Sequence, residues 1–151
     1  MQRPKILWLL VFFLVFLGLG GLYGGFSMLV DPSGKLLQMS DILQFLPVSN
    51  FILPGLFLVF VMGLSPIFLA YALLARTQWI WAKRIARYYG YYWAWTGTLA
   101  LGVLLMVWLL VQGLLIGIRW PIQYITAGNG VLIILLSLMP GVRRYYKNAN
   151  G

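Results

Sequence analysis

The chain has 151 residues, 62% of them apolar and 17% aromatic, and only 9% charged. A soluble globule of this size buries about 70% of its unfolded surface, too little to hide that apolar content, so lipid is the expected solvent for much of the chain. Eleven Lys/Arg stand against two acidic residues, with no His and no Cys, which excludes disulfides, thiolate or imidazole metal sites, and Ser-His-Asp or Cys-His catalysis.

The net charge of +9 is not gathered into one solvated patch of the kind that tracks nucleic acid. Arg3 and Lys5 precede the first apolar run. Arg76, Lys83, Arg84 and Arg87 separate two others, and Arg143, Arg144 and Lys147 follow the last. Each group flanks a hydrophobic segment, as topology-setting charges do. No nucleic-acid partner is expected.

A bilayer core about 30 Å thick needs about 20 helical residues. The first uncharged stretch covers about 6–28. Its basic start is like that of a secretory signal, but the apolar run is longer than a signal's, and no Ala occurs before position 70 to make an A-x-A cleavage site, so it is expected to remain as a span. It carries two GxxxG pairs, Gly20/Gly24 and Gly21/Gly25, which bare the backbone for close helix approach in lipid.

Residues 31–34, Asp-Pro-Ser-Gly, form a turn signature in the loop that follows. Leu36, Met39, Leu43 and Leu46 then recur at helical spacing, with Lys35, Gln38, Asp41 and Gln44 mostly opposite. A short amphipathic helix over 35–45 is predicted, lying on the outer membrane surface or capping the helices.

The second span runs from about 54 to 74, opened by Pro54 after the candidate caps Ser49 and Asn50. Gly63 and Pro66 are expected to bend it. The third span, about 91–115, adds the pair Gly113/Gly117 near its end. The fourth, about 121–139, opens at Pro121 and closes before Pro140-Gly141. Strand-length alternation is absent, and helices satisfy every backbone group within lipid. The expected fold is therefore all-α, a single transmembrane domain over 1–151 built as a four-helix bundle. Placing the three large basic groups on one side leaves only Lys35 and Arg119 on the other, so both termini are expected to face the cytoplasm.

Intramembrane ionisable residues are the usual pointer to transport or proton relay, and the four spans contain none. Their polar residues are neutral. Gln112 and Asn129 are the costliest to leave facing lipid and should point inward as structural hydrogen-bonding groups. Arg119 shares a side with Asp31 and Asp41, where an Arg-carboxylate pair would fasten the short loop to the long one. The same residues, with Gln112 and Gln123, are the candidate lining of an outward cavity for a polar headgroup or solute. Trp79 and Trp81, followed by Lys83, Arg84 and Arg87 and the run from Tyr88 to Trp95, read with the tail at 143–147 as aromatic and basic anchors against anionic headgroups at the cytoplasmic boundary.

The segments GGLYGGFSMLVDPSGKLLQMSDILQF and FILPGLFLVFVMGL, with VQGLLIGIRWPIQY further on, resemble a group of small bacterial four-span membrane proteins of unknown function. That group has a glycine-rich first helix, an Asp-Pro-Ser-Gly loop and a Pro-Gly entrance to the second helix. The resemblance implies a bacterial inner membrane and four spans, and it carries over no catalytic or binding residue.

No catalytic residue, metal or cofactor is expected, because two loop aspartates are a poor supply of titratable groups for acid-base work. The leading expectation is a non-enzymatic accessory or assembly subunit, held to a protein partner or a second copy through the glycine faces named above. The alternatives are a lipid or small-solute binder with an outward capped cavity, and the protomer of an oligomeric channel or transporter.

Overall fold

The computed structural model describes residues 3–147, the side chain of Ile85 excepted. Helix α1, Lys5–Val30, is followed by turns and a 3-10 helix at Ser40–Phe45. Helix α2 covers Ile52–Ala75, α3 Ile80–Tyr89, α4 Trp93–Ile116, α5 Pro121–Leu138 and α6 Pro140–Lys147. No strand occurs among the described residues. Helices α1, α2, α4 and α5 are each long and apolar enough to cross a membrane, within a few residues of the spans predicted from hydropathy.

Helix α1 explains the packing order. Among its buried residues, Leu7, Leu10, Leu14, Leu17, Gly21, Gly25 and Met28 recur at steps of three or four, with Gly18 beside them, the spacing that keeps one stripe facing inward. The leucine half of that stripe fills the centre, beside Met62, Leu73, Leu105 and Ile133. The glycine half lies against α2. Helix α1 thus touches both α2 and α5, α5 packs on α4, and α4 meets the later half of α2.

Helix α2 begins at Ile52 with Phe51 at its N-cap position and no side-chain cap there; Asn50, a candidate cap, instead accepts the Ile52 N–H at 3.1 Å in a local turn just ahead of the helix. Over Leu58–Leu64 the backbone widens into a π-helix. Its exit is Ser65, whose N–H and hydroxyl both donate to the Phe60 carbonyl five residues back. Pro66 follows immediately. A proline has no N–H and its ring crowds the preceding turn, and a π turn just before it is one way to relieve that crowding. The expected irregularity at Gly63 and Pro66 is therefore a local widening of the helix.

The 35–45 loop departs from expectation. Gly34 and Gln38 both adopt positive φ, at 75° and 54°, which interrupts any continuous α-helix. The loop folds on itself instead: Met39 N–H donates to Gly34 O at 2.8 Å and Phe51 N–H to Pro32 O at 3.0 Å. Only Ser40–Phe45 is helical, as 3-10. Ile42 and Phe51 form a small satellite core with Met28 and Ile116, while Leu36, predicted on the apolar stripe, is exposed. Local turn hydrogen bonds and the burial of Phe51 override the periodicity.

Two further helices were not anticipated. Helix α3 follows Arg76, which takes a left-handed conformation, and ends at Gly90, which does the same. Helix α6 begins at Pro140 and buries Val142, Tyr145 and Tyr146. Both lie at the end of the molecule that carries Lys5, hereafter the basic end.

Candidate functional site

Of the sequence-predicted outward residues, Gln112, Arg119 and Gln123 are brought together at one turn, while Asp31 is engaged within its own loop. Asp31 accepts bonds from the Ser33 hydroxyl and N–H and from Leu36 N–H. The Ser33 hydroxyl and Leu36 N–H hold its carboxyl below the usual carboxylate range. Arg119 makes no ion pair with Asp31 or Asp41 among the described residues. Its guanidinium lies 5.7 Å from the Phe45 ring centre. Asp41 sits in the first turn of the 3-10 helix.

Gln123 is a turn staple. Its Oε1 accepts the N–H groups of Arg119 and Trp120 at 2.8 and 3.0 Å, and its Nε2 donates to Gly117 O at 3.2 Å. Gln112 Oε1 sits at 3.5 Å on the same amide. A helix start leaves N–H groups without intrahelical partners, and Gln123 satisfies the connection ahead of α5 in this way. Gln112 and Gln123, expected to line an outward cavity with Arg119, instead meet each other at the seal of a tight turn. Asn129 does point inward: its Nδ2 donates to Phe13 O at 3.3 Å, while its buried Oδ1 has no partner.

The glycines divide by helix face. A Cβ on Gly25 would stand 2.8 Å from Gly55 O, and one on Gly18 would stand 2.9 Å from Gly63 O. Gly21 meets the Met62 carbonyl even more closely. These approaches are the geometry of Cα–H···O contacts between helices, and they occupy the face that sequence spacing offered to a partner. Gly20 opens on space, and Gly24 has only Leu58 Cδ1 at 3.7 Å. Gly113 has only Ile118 nearby. Gly117, with φ 74°, ends α4. The Gly113/Gly117 pair is thus a helix terminus and not a packing face, because the left-handed backbone at Gly117 leaves the helix before the spacing can act.

At the basic end, aromatic donors satisfy helix carbonyls. Tyr92 hydroxyl contacts Ala72 O at 3.0 Å and Thr77 O at 2.8 Å, and Trp93 Nε1 donates to Thr77 O at 2.9 Å. Tyr146 hydroxyl donates to Leu73 O at 2.7 Å, and Trp95 Nε1 to Ser137 O at 2.9 Å. The last carbonyls of a helix lack intrahelical donors, and these side chains reach the ends of α2 and α5. Burial pushes the Tyr92 and Tyr146 phenols above their ordinary range, which keeps them protonated as donors. The run from Tyr88 to Trp95, read as a boundary belt, is therefore split. Tyr88 and Tyr89 are exposed, whereas Tyr92, Trp93 and Trp95 are interior.

Two hollows adjoin this region. One, about 330 Å³, lies between α3 and the start of α4, walled by Tyr92, Trp93, Gln78, Lys83 and Arg87. Its floor is open because Ala82 and Ala86, 1% and 5% exposed, present only methyl groups there. The other, about 320 Å³, is a lateral groove between α2 and α4, lined by Ser65, Phe68, Gly97, Ala100 and Leu104 among others. Phe68 links the two, with its ring centre 5.9 Å from that of Trp93 and 5.5 Å from that of Trp79. Sequence reasoning placed Lys83 and Arg87 among the basic groups at the boundary but did not gather them into a crevice. The signal was the i, i+4 spacing of Lys83 and Arg87 beside Ala82 and Ala86.

No protein-family model matches the chain, and no curated protein or solved structure was found to match it. Its four long apolar helices define it as a candidate multi-pass membrane protein.

Proposed function

We propose that the protein is a non-enzymatic four-helix membrane bundle that holds a lipid in the lateral groove between α2 and α4. The observation that carries this reading is the groove itself: an apolar hollow at the depth of Val61–Leu69 and Gly97–Leu104, whose Phe68 ring touches Trp93 of the polar crevice. Single-ligand sites are concave, mostly apolar hollows of about 300–1,000 Å³ with a few polar groups, and each hollow is at the lower end of that range. With the basic end on the cytoplasmic side, as the distribution of Lys and Arg favours, the site opens to the inner leaflet. A bacterial inner membrane accords with the likeness to small bacterial four-span proteins.

Native mass spectrometry of the full chain after gentle extraction tests this. A phospholipid should be retained at defined stoichiometry, and Ala100→Phe, which fills the groove, should remove it. Leu114→Phe, on an exposed face elsewhere on α4, should not. A wild-type chain that carries no phospholipid under these conditions overturns the reading. The accessory-subunit alternative retains Gly20 and Gly128, whose Cβ positions open on space. It requires a second protein to co-purify at fixed stoichiometry.

A further inference from the structure

We infer that the crevice between α3 and α4 is the headgroup site for an anionic phospholipid, its phosphate held by Lys83 and Arg87. This deepens the groove reading and rests on it. The two cations sit one turn apart on α3 and line the same hollow. The other polar walls are already engaged, since Tyr92 hydroxyl and Trp93 Nε1 are directed at Thr77 O.

Charge complementarity selects the occupant. The chain has two side-chain carboxylates, Asp31 and Asp41, and both lie in the loop at the opposite end. Among the described residues no carboxylate lines the crevice beside Lys83 and Arg87, so the pair is open to an anion supplied by a bound molecule. A phosphate is the anion that a membrane boundary supplies, and charge-assisted contacts to it are among the stronger hydrogen bonds. Zwitterionic headgroups carry, beside the phosphate, an ammonium that the same two side chains repel, which disfavours them against anionic lipids. The crevice also adjoins the apolar groove across Phe68 and Trp93. A phospholipid bound here would place its phosphate in the crevice and an acyl chain in the groove, one on each side of the Phe68–Trp93 contact, whereas free phosphate uses only the crevice.

The test is native mass spectrometry of the full chain with equal amounts of phosphatidylglycerol and phosphatidylethanolamine. The expected result is a preference for phosphatidylglycerol of about tenfold or more, the scale of one to two charge-assisted contacts. Lys83→Gln with Arg87→Gln should bring the two lipids to near parity. Arg84→Gln with Lys147→Gln removes the same charge outside the crevice and should leave the preference intact. Lys83→Arg with Arg87→Lys should preserve it, and unchanged helicity by circular dichroism checks that each variant is folded. Added inorganic phosphate should not displace the lipid.

Retention indifferent to headgroup overturns the headgroup site and leaves the groove reading standing. So does a preference that survives the crevice substitutions or falls equally in the outside pair. Displacement by inorganic phosphate overturns the commitment to a phospholipid. Loss of all phospholipid from the wild-type chain overturns the groove reading as well.

Discussion

The Tyr146 hydroxyl donates to the Leu73 carbonyl oxygen at 2.7 Å, joining two residues 73 positions apart. Around it, Tyr92 N–H donates to Tyr146 O, and the Arg76 guanidinium lies 3.9 Å from the Tyr145 ring centre while donating to Tyr145 O. Helix α6 is thereby latched over the ends of α2 and α4.

Tyr146→Phe removes the donor and leaves the Leu73 carbonyl without that partner, at a cost of about 1–3 kcal/mol. Faster amide exchange over 140–147 would report it. A phenol whose folded-state pKa is raised contributes stability that is complete below its unfolded value of about 10 and is lost as pH rises through the folded value. Protection of α6 should therefore fall on the alkaline side of about pH 10, and this loss should be reduced in Tyr146→Phe. An alkaline profile identical in the two proteins would refute the latch.

The two glycine strips of α1 should respond in opposite ways. Gly21→Leu and Gly25→Leu drive a side chain into the α2 backbone, and overpacking of this kind costs roughly 1–3 kcal/mol or more. Gly20→Leu enters open space and should change stability by less than about 0.5 kcal/mol. Unfolding in mixed detergent micelles measures both, and equal losses from Gly20 and Gly21 would contradict the packing described.

Gln123→Ala should loosen the connection between α4 and α5. It frees the N–H groups of Arg119 and Trp120 from their common acceptor, at about 1–2 kcal/mol by analogy with lost helix caps. Exchange of those two amides should accelerate, while that of α6 stays unchanged.

The Asp31 turn is an acid-sensitive element. A carboxyl whose folded pKa is depressed contributes stability above its unfolded value of about 3.9, and that stability is lost as pH falls through the folded value. Leu36 N–H, bonded to Asp31 at 2.7 Å, should lose protection in that window. Asp31→Ala should abolish the pH dependence of Leu36 protection, leaving it low throughout.

Hydropathy is written residue by residue along the chain, so the number, length and order of the long helices could be read without coordinates. So could the segregation of nine Lys/Arg from the two aspartates, because charges flank the apolar runs in the sequence itself. Rotation of a helix about its own axis is different, since it depends on what the neighbouring helices present. Spacing alone made Gly20/Gly24 and Gly21/Gly25 equivalent, and only the approach of α2 placed Gly21 and Gly25 inside. The amides of Gln112 and Gln123 were recognisable as groups that avoid lipid, but whether they lined a cavity or sealed a turn depended on the left-handed exit at Gly117. Helices α3 and α6 are short and rich in charge, so hydropathy passes over them. The tyrosines and Arg143 of α6 find partners tens of residues away, and distances of that kind exist only once the chain has folded.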